Sequence, residues 1–105
     1  MGGFELITGD PITVEIGTHK SKLTFRPMTM KQQLVILNKY DLSQIQKQDP
    51  EKLARDVIDN IIGLEGVTDP VTPEWLTTNL RMKDFFDIVG TIIGSGLVDE
   101  EQEKN

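Results

Sequence analysis

Between residues 12 and 26 the apolar positions recur at every second residue, and from residue 29 onward they recur every third or fourth. The first period is that of a strand and the second that of a helix. In ITVEIG, Ile12, Val14 and Ile16 point one way and Thr13 and Glu15 the other. In KLTFR, Leu23 and Phe25 stand together, and Pro27 closes the strand. Gly17-Thr18-His19-Lys20-Ser21 reads as a hairpin loop with an exposed tip. The two strands offer Val14, Ile16, Leu23 and Phe25 as one apolar face. An isolated hairpin is marginal in water, so this one is expected to lie on helices.

The strongest helical pattern is DPEKLARDVIDNIIG, Asp49 to Gly63. Asp49 is a natural N-cap, Pro50 takes the first helical position, and Glu51 suits the positive end of the helix dipole. Leu53, Ala54, Val57, Ile58, Ile61 and Ile62 fill one half of the helical wheel. Gly63 is read as the stop. Glu51–Arg55 and Lys52–Asp56 are spaced as i,i+4 ion pairs. Upstream, Thr29 and Gln32 have the spacing of a capping box. They open a helix to about Tyr40 whose expected core stripe is Met30, Leu34, Leu37 and Tyr40, with Ile36 at its edge. Residues 41–48 read as a polar connector, and 64–71 as a loop. Thr72-Pro73-Glu74 repeats the cap, proline and acid start, opening a short helix with Trp75, Leu76 and Leu80. A last helix to about Ile93 presents Met82, Phe85, Phe86, Val89, Ile92 and Ile93.

These elements predict an α+β fold, an N-terminal β-hairpin packed on a small, mainly helical bundle of about four α-helices. The single domain spans 11–98, with the hairpin at 11–27 and helices at about 29–40, 50–62, 73–79 and 82–93. Residues 1–10 are expected to be a flexible arm and 99–105 (DEEQEKN, with 99 Asp and 100 Glu) a disordered acidic tail. Expected core residues are Val14, Phe25, Leu34, Leu37, Leu53, Val57, Ile58, Ile61, Trp75, Phe85, Val89 and Ile92.

Charge narrows the function classes. The 105 residues carry 11 basic and 17 acidic side chains, a net charge of −6, which disfavours nucleic acid and anionic membrane as partners. Cysteine is absent from the sequence, so thiol chemistry and Cys-based metal sites are excluded. No signal-peptide pattern or apolar run of membrane-spanning length occurs. His19 is the one histidine, which rules out a His-rich metal site or a His-paired nucleophile. Asp56/Asp59 and Asp84/Asp87 are i,i+3 carboxylates placed on polar helix faces, where solvation is the expected role. No catalytic, cofactor or metal residues are assigned, and the chain is expected not to be an enzyme.

Four residues are candidates for partner binding. Phe4 belongs either to a loose arm or to a segment that orders on a partner. Val35 falls among polar residues, as an isolated exposed valine or as a contact point. Gly90 and Gly94 mark either a weakened helix end or the close approach of another helix, within the domain or from a neighbouring subunit.

The order of elements carries a resemblance. A hairpin (ITVEIG…KLTFR) runs straight into the Arg26-Pro27-Met28-Thr29 junction and a capped helix. The DPEKLARDVIDNIIG helix, the Thr72-Pro73-Glu74 restart, MKDFFDIVGTII and an acidic tail follow. Over roughly residues 12–98 this resembles the tail assembly chaperones of long-tailed bacteriophages and prophages. That family has a strand, hairpin, strand and R-P-[LM]-T opening before a small helical bundle. The resemblance implies a non-enzymatic protein of the bacterial host cytoplasm. It would bind the helical tape-measure protein, keep it soluble during tube assembly, and be absent from the finished particle. It implies the tail tube protein as a further partner, and self-association if the Gly90–Gly94 edge packs between subunits. The alternatives are a structural virion component, such as a head–tail connector or tail-completion protein, and a cytoplasmic interaction adaptor.

Overall fold

The computed structural model describes residues 10–94. Its elements are β1 (Ile12–Ile16), β2 (Ser21–Phe25), α1 (Met30–Lys39), a 3₁₀ segment (Leu42–Lys47), α2 (Pro50–Val57), a 3₁₀ turn (Ile58–Asn60), β3 (Ile61–Leu64), α3 (Pro73–Asn79) and α4 (Met82–Gly94). The fold is α+β, an antiparallel sheet with two strands from the start of the described chain and one from its middle, against a set of helices. The tail at 99–105 and all of the arm except Asp10 lie outside the described residues.

The hairpin forms as the alternation predicts. Ile12 pairs with Phe25, Val14 with Leu23 and Ile16 with Ser21. Leu23 and Phe25 are buried, while Val14 and Ile16 are partly buried against the core. Gly17 sits at φ +84° at the start of the turn, a conformation open to glycine and strained for other residues. A Cβ there would also come within 3.2 Å of Asp84 Oδ1.

The expected 50–62 helix is corrected. The α-helix ends at Val57, and the chain passes through one 3₁₀ turn into β3, which pairs antiparallel with β2. The sheet order is β1-β2-β3, so the hairpin has become part of a three-stranded sheet. Residue chemistry accounts for the change. Ile58, Ile61 and Ile62 are β-branched, stiff at χ1 in a helix and favoured on a pleated surface. Their spacing fits both periods. Gly63 is not a helix stop but a strand residue opposite Thr24. Phe25 pairs with Ile61, which leaves Ile62 as the extra residue of a β-bulge, turned outward and exposed.

The helix starts are as predicted. Thr29 and Gln32 form a complete capping box, and the Asp49 and Thr72 side chains accept from Glu51 N and Trp75 N. The connector at 41–48 contains the 3₁₀ segment, and Ile45 packs on the core.

The core lies between the sheet and α2, α3 and α4. Leu23, Leu53, Ala54, Val57, Leu76, Val89 and Ile92 are fully enclosed. Phe85 and Phe86 meet edge to face, with centroids 5.1 Å apart. Trp75, Ile58 and Ile61 pack against this core partly buried. On α4 the inward face includes Ile88, whereas Met82, expected on it, is exposed.

The largest correction concerns α1. Leu34 and Leu37, expected in the core, are exposed together with Met30. The buried residues are Gln33, Ile36 and Tyr40. The helix is turned by polar anchors, described next, that an apolar-only periodicity cannot register.

Candidate interaction surface

The anchors begin at the Arg26-Pro27-Met28-Thr29 junction. Arg26 N–H donates to the Asn60 carbonyl at 2.7 Å, and Asn60 Nδ2 donates back to the Arg26 carbonyl at 2.9 Å. The Asn60 amide also exchanges two 3.3 Å hydrogen bonds with the Gln32 amide. Gln32 Oε1 in turn accepts from Thr29 N as half of the capping box. The junction is therefore tied to the 3₁₀ turn that leads into β3, and α1 leaves it in one orientation. Met28 is buried beside it.

Further hydrogen bonds tie α1 and its C-terminal cap to α4 and α2. Gln33 Nε2 donates to the Ile93 carbonyl near the end of α4. Tyr40 Oη donates to Asp56 Oδ2 at 2.5 Å, and Lys39 Nζ donates to the same carboxylate at 3.0 Å. Burial, followed by the Asp56 carboxylate, pushes the Tyr40 phenol far above its ordinary range. Asp56 is thus not the solvated surface residue expected, and its partner is Lys39 rather than Lys52. Glu51–Arg55 does form, at 3.9 Å, between exposed side chains and of little energetic weight.

Held this way, α1 turns its other side to solvent. Met30 is 74% exposed, Leu34 52%, Val35 53% and Leu37 44%. Met30, Leu34 and Leu37 follow one another at i, i+4 and i+7, the spacing of a stripe that packs against another helix. Full burial of each such side chain is worth roughly 1.5–3 kcal/mol. The outward direction of the stripe is set by Gln33 and Tyr40, whose hydrogen bonds claim the inner side.

Of the four candidate residues, the three described ones lie on two different helices. Phe4 lies outside the described residues. Val35 is exposed on α1, close to the opposite side of that helix from Gln33 at about 100° per residue. Gly90 and Gly94 lie on the outer side of α4, toward the Lys83–Asp87 ion pair at 3.1 Å. Among the described residues, a Cβ on either glycine would meet nothing within 4 Å, so no described helix packs closely on that edge.

A concavity of about 120 Å³ opens between the hairpin turn and α4. Its floor includes Leu23, Trp75, Leu80 and Ile88, and its rim includes Thr18, His19 and Asp84. His19 is exposed, as expected of a hairpin tip. Asp84 is not a solvated bystander. Its Oδ1 accepts from both Thr18 N and Thr18 Oγ1 at 2.9 Å, which pins the turn to α4. These bonds hold its carboxyl below the usual carboxylate value. The stabilisation they give is complete above the unfolded-state pKa of about 4 and is lost as pH falls through the depressed folded-state value. Asp84→Ala is therefore expected to lower Tm at neutral pH, with the gap from wild type closing below about pH 4. A gap that stays constant down to pH 2 in thermal melts would rule the tether out.

Among the described residues no group of three or more His, Cys, Asp or Glu side chains could hold a metal ion. No described helix is long and apolar enough to cross a membrane. No protein-family model matches the chain, and no curated protein or solved structure is significantly similar to it.

Proposed function

We propose that this protein is a non-enzymatic tail assembly chaperone of a long-tailed bacteriophage or prophage. It acts in the bacterial host cytoplasm, binding the tape-measure protein and keeping it soluble while the tail tube is built. The observation that carries the reading is the outward apolar stripe of α1 on a small, acidic chain. A client with apolar helical stripes needs a cover that is itself soluble. An exposed apolar face on a net charge of −6 meets both requirements. The order of elements through the Arg26–Thr29 junction supports the same reading.

The test is co-expression with the tape-measure protein of the same phage or prophage. The expected result is that the client stays in the soluble fraction and co-purifies. A client that aggregates equally with and without this chain would sink the proposal. Recovery of the chain from purified particles by mass spectrometry would favour a structural virion component instead. Capture of host proteins alone would favour a cytoplasmic adaptor.

A further inference from the structure

The apolar stripe of α1 begins beside the end of α4. Counted from Gln33 at about 100° per residue, Leu37 stands about 40° round the helix, Met30 about 60° and Leu34 about 100°. Lys31 comes next in the same direction, at about 160°. Gln33 itself donates to the carbonyl of Ile93, one residue before the end of α4. The chain therefore leaves α4 at the near border of the stripe. Met30, Leu34 and Leu37 are exposed there, and Lys31 has no ion pair among the described residues.

The sequence that follows α4 matches this surface in order. Ser95 and Gly96 are small turn-forming residues, Leu97 and Val98 are apolar, and Asp99, Glu100 and Glu101 are acidic. We propose that this segment folds back across α1, with Leu97 and Val98 covering the stripe and the carboxylates meeting Lys31. The lengths agree. Three residues, from Gly94 to Leu97, reach about 10 Å. The stripe lies within about 10 Å of Gln33 round a helix about 10–12 Å across, and Lys31 about 15 Å round it. Five or six residues, to Asp99 or Glu100, reach about 17–20 Å. Attachment, more than charge, selects this occupant. A two-residue linker holds Leu97 and Val98 beside the stripe at an effective concentration of roughly millimolar, ahead of a free partner of similar surface. The carboxylates of the segment are already counted in the net charge of −6, so docking them adds no charge to the molecule, whereas an acidic partner from outside brings its own. Lys39, on the far side of α1 and paired to Asp56, takes no part. The cover regulates the surface that the chaperone reading uses, and the inference rests on that reading only for the identity of what displaces the segment.

The test uses the full chain. Cysteine is absent from the sequence, so Gln102→Cys accepts a single nitroxide label, and the methyl signals of Met30, Leu34 and Leu37 are followed by NMR. Their paramagnetic broadening is expected to be at least three-fold stronger than in the same labelled chain carrying Leu97→Asp and Val98→Asp, and unchanged by dilution. Lys31→Glu should weaken it about two-fold with Tm unchanged, since that side chain is exposed. Equal broadening with and without the Leu97→Asp and Val98→Asp changes would overturn the proposal. So would broadening that passes only from a labelled to an unlabelled copy, which would put a neighbouring subunit on the stripe. The two readings fail separately. Strong broadening beside a tape-measure protein that still aggregates removes the chaperone and leaves the cover. Equal broadening beside a tape-measure protein that stays soluble removes the cover and leaves the chaperone.

Discussion

Asn60→Ala will cost the fold about 2–4 kcal/mol, which is large against the roughly 5–15 kcal/mol that holds a domain of this size. The side chain is buried, and its amide satisfies the Arg26 carbonyl and both ends of the Gln32 amide. Truncation removes these bonds and strands partners that water reaches poorly. It also loosens the path from β2 into α1, because the Arg26 N–H bond to the Asn60 carbonyl is supported from the other side by the amide. Urea unfolding followed by Trp75 fluorescence should show a lower midpoint with an unchanged slope. Asp59→Ala, one residue earlier and exposed, serves as the reference and should stay within about 0.5 kcal/mol of wild type. If the two variants unfold together, the Asn60 amide does not tie the sheet to α1.

Gln33→Glu is the second large effect, and it carries a pH signature. Gln33 is buried with its Nε2 on the Ile93 carbonyl, and its Oε1 has no hydrogen-bond partner among the described residues. A carboxylate there would face a carbonyl oxygen with no donor at hand, a penalty of about 3 kcal/mol or more. A protonated carboxyl could instead donate to the Ile93 carbonyl. Burial raises the folded-state pKa of such a group above the unfolded value of about 4.3. The destabilisation is therefore absent below that unfolded value and grows as pH rises toward the folded one. Thermal melts should show a wide gap from wild type at pH 7 and a narrow one near pH 4. Gln33→Met, which removes the unpaired oxygen along with the donor, should cost less than Gln33→Glu at pH 7 and show no such dependence on pH. An equal gap for Gln33→Glu at the two pH values would mean that residue 33 is in contact with water.

The parts of the fold that were readable in the sequence are those with a local cause. The alternation of Ile12–Ile16 and Leu23–Phe25 needed only each strand's own residues, as did the caps at Thr29, Asp49 and Thr72. The reading failed where a partner distant in sequence decides. Ile61 and Ile62 satisfy a helical stripe as well as a strand, and what separates the two is β2, which offers an edge to pair with. Leu34 and Leu37 make a better apolar stripe than Gln33, Ile36 and Tyr40. The second set faces inward because the Ile93 carbonyl and Asp56 bind its polar members, Gln33 and Tyr40, while the Gln32–Asn60 pair fixes the start of the helix. Asp56 and Asp84 were placed on helix faces correctly, but their partners come from α1 and from the hairpin turn. The candidate surface was visible as residues and invisible as a direction. Met30, Leu34 and Leu37 were recognised as one stripe, and the side of the helix that the core would claim was decided by amides.

The position of β3 in the sheet has a consequence for synthesis. β2 is the central strand, yet its second neighbour lies beyond α1 and α2, with Leu64 placed 39 residues after Phe25. At roughly 5–20 residues per second, a ribosome takes about 2–8 s to deliver that neighbour after the hairpin is complete. Throughout that interval the outer hydrogen-bonding edge of β2 lacks β3 as its neighbour. The nascent protein thus carries an open strand edge for seconds, and that edge closes only when Asn60 and the bulged strand behind it leave the exit tunnel.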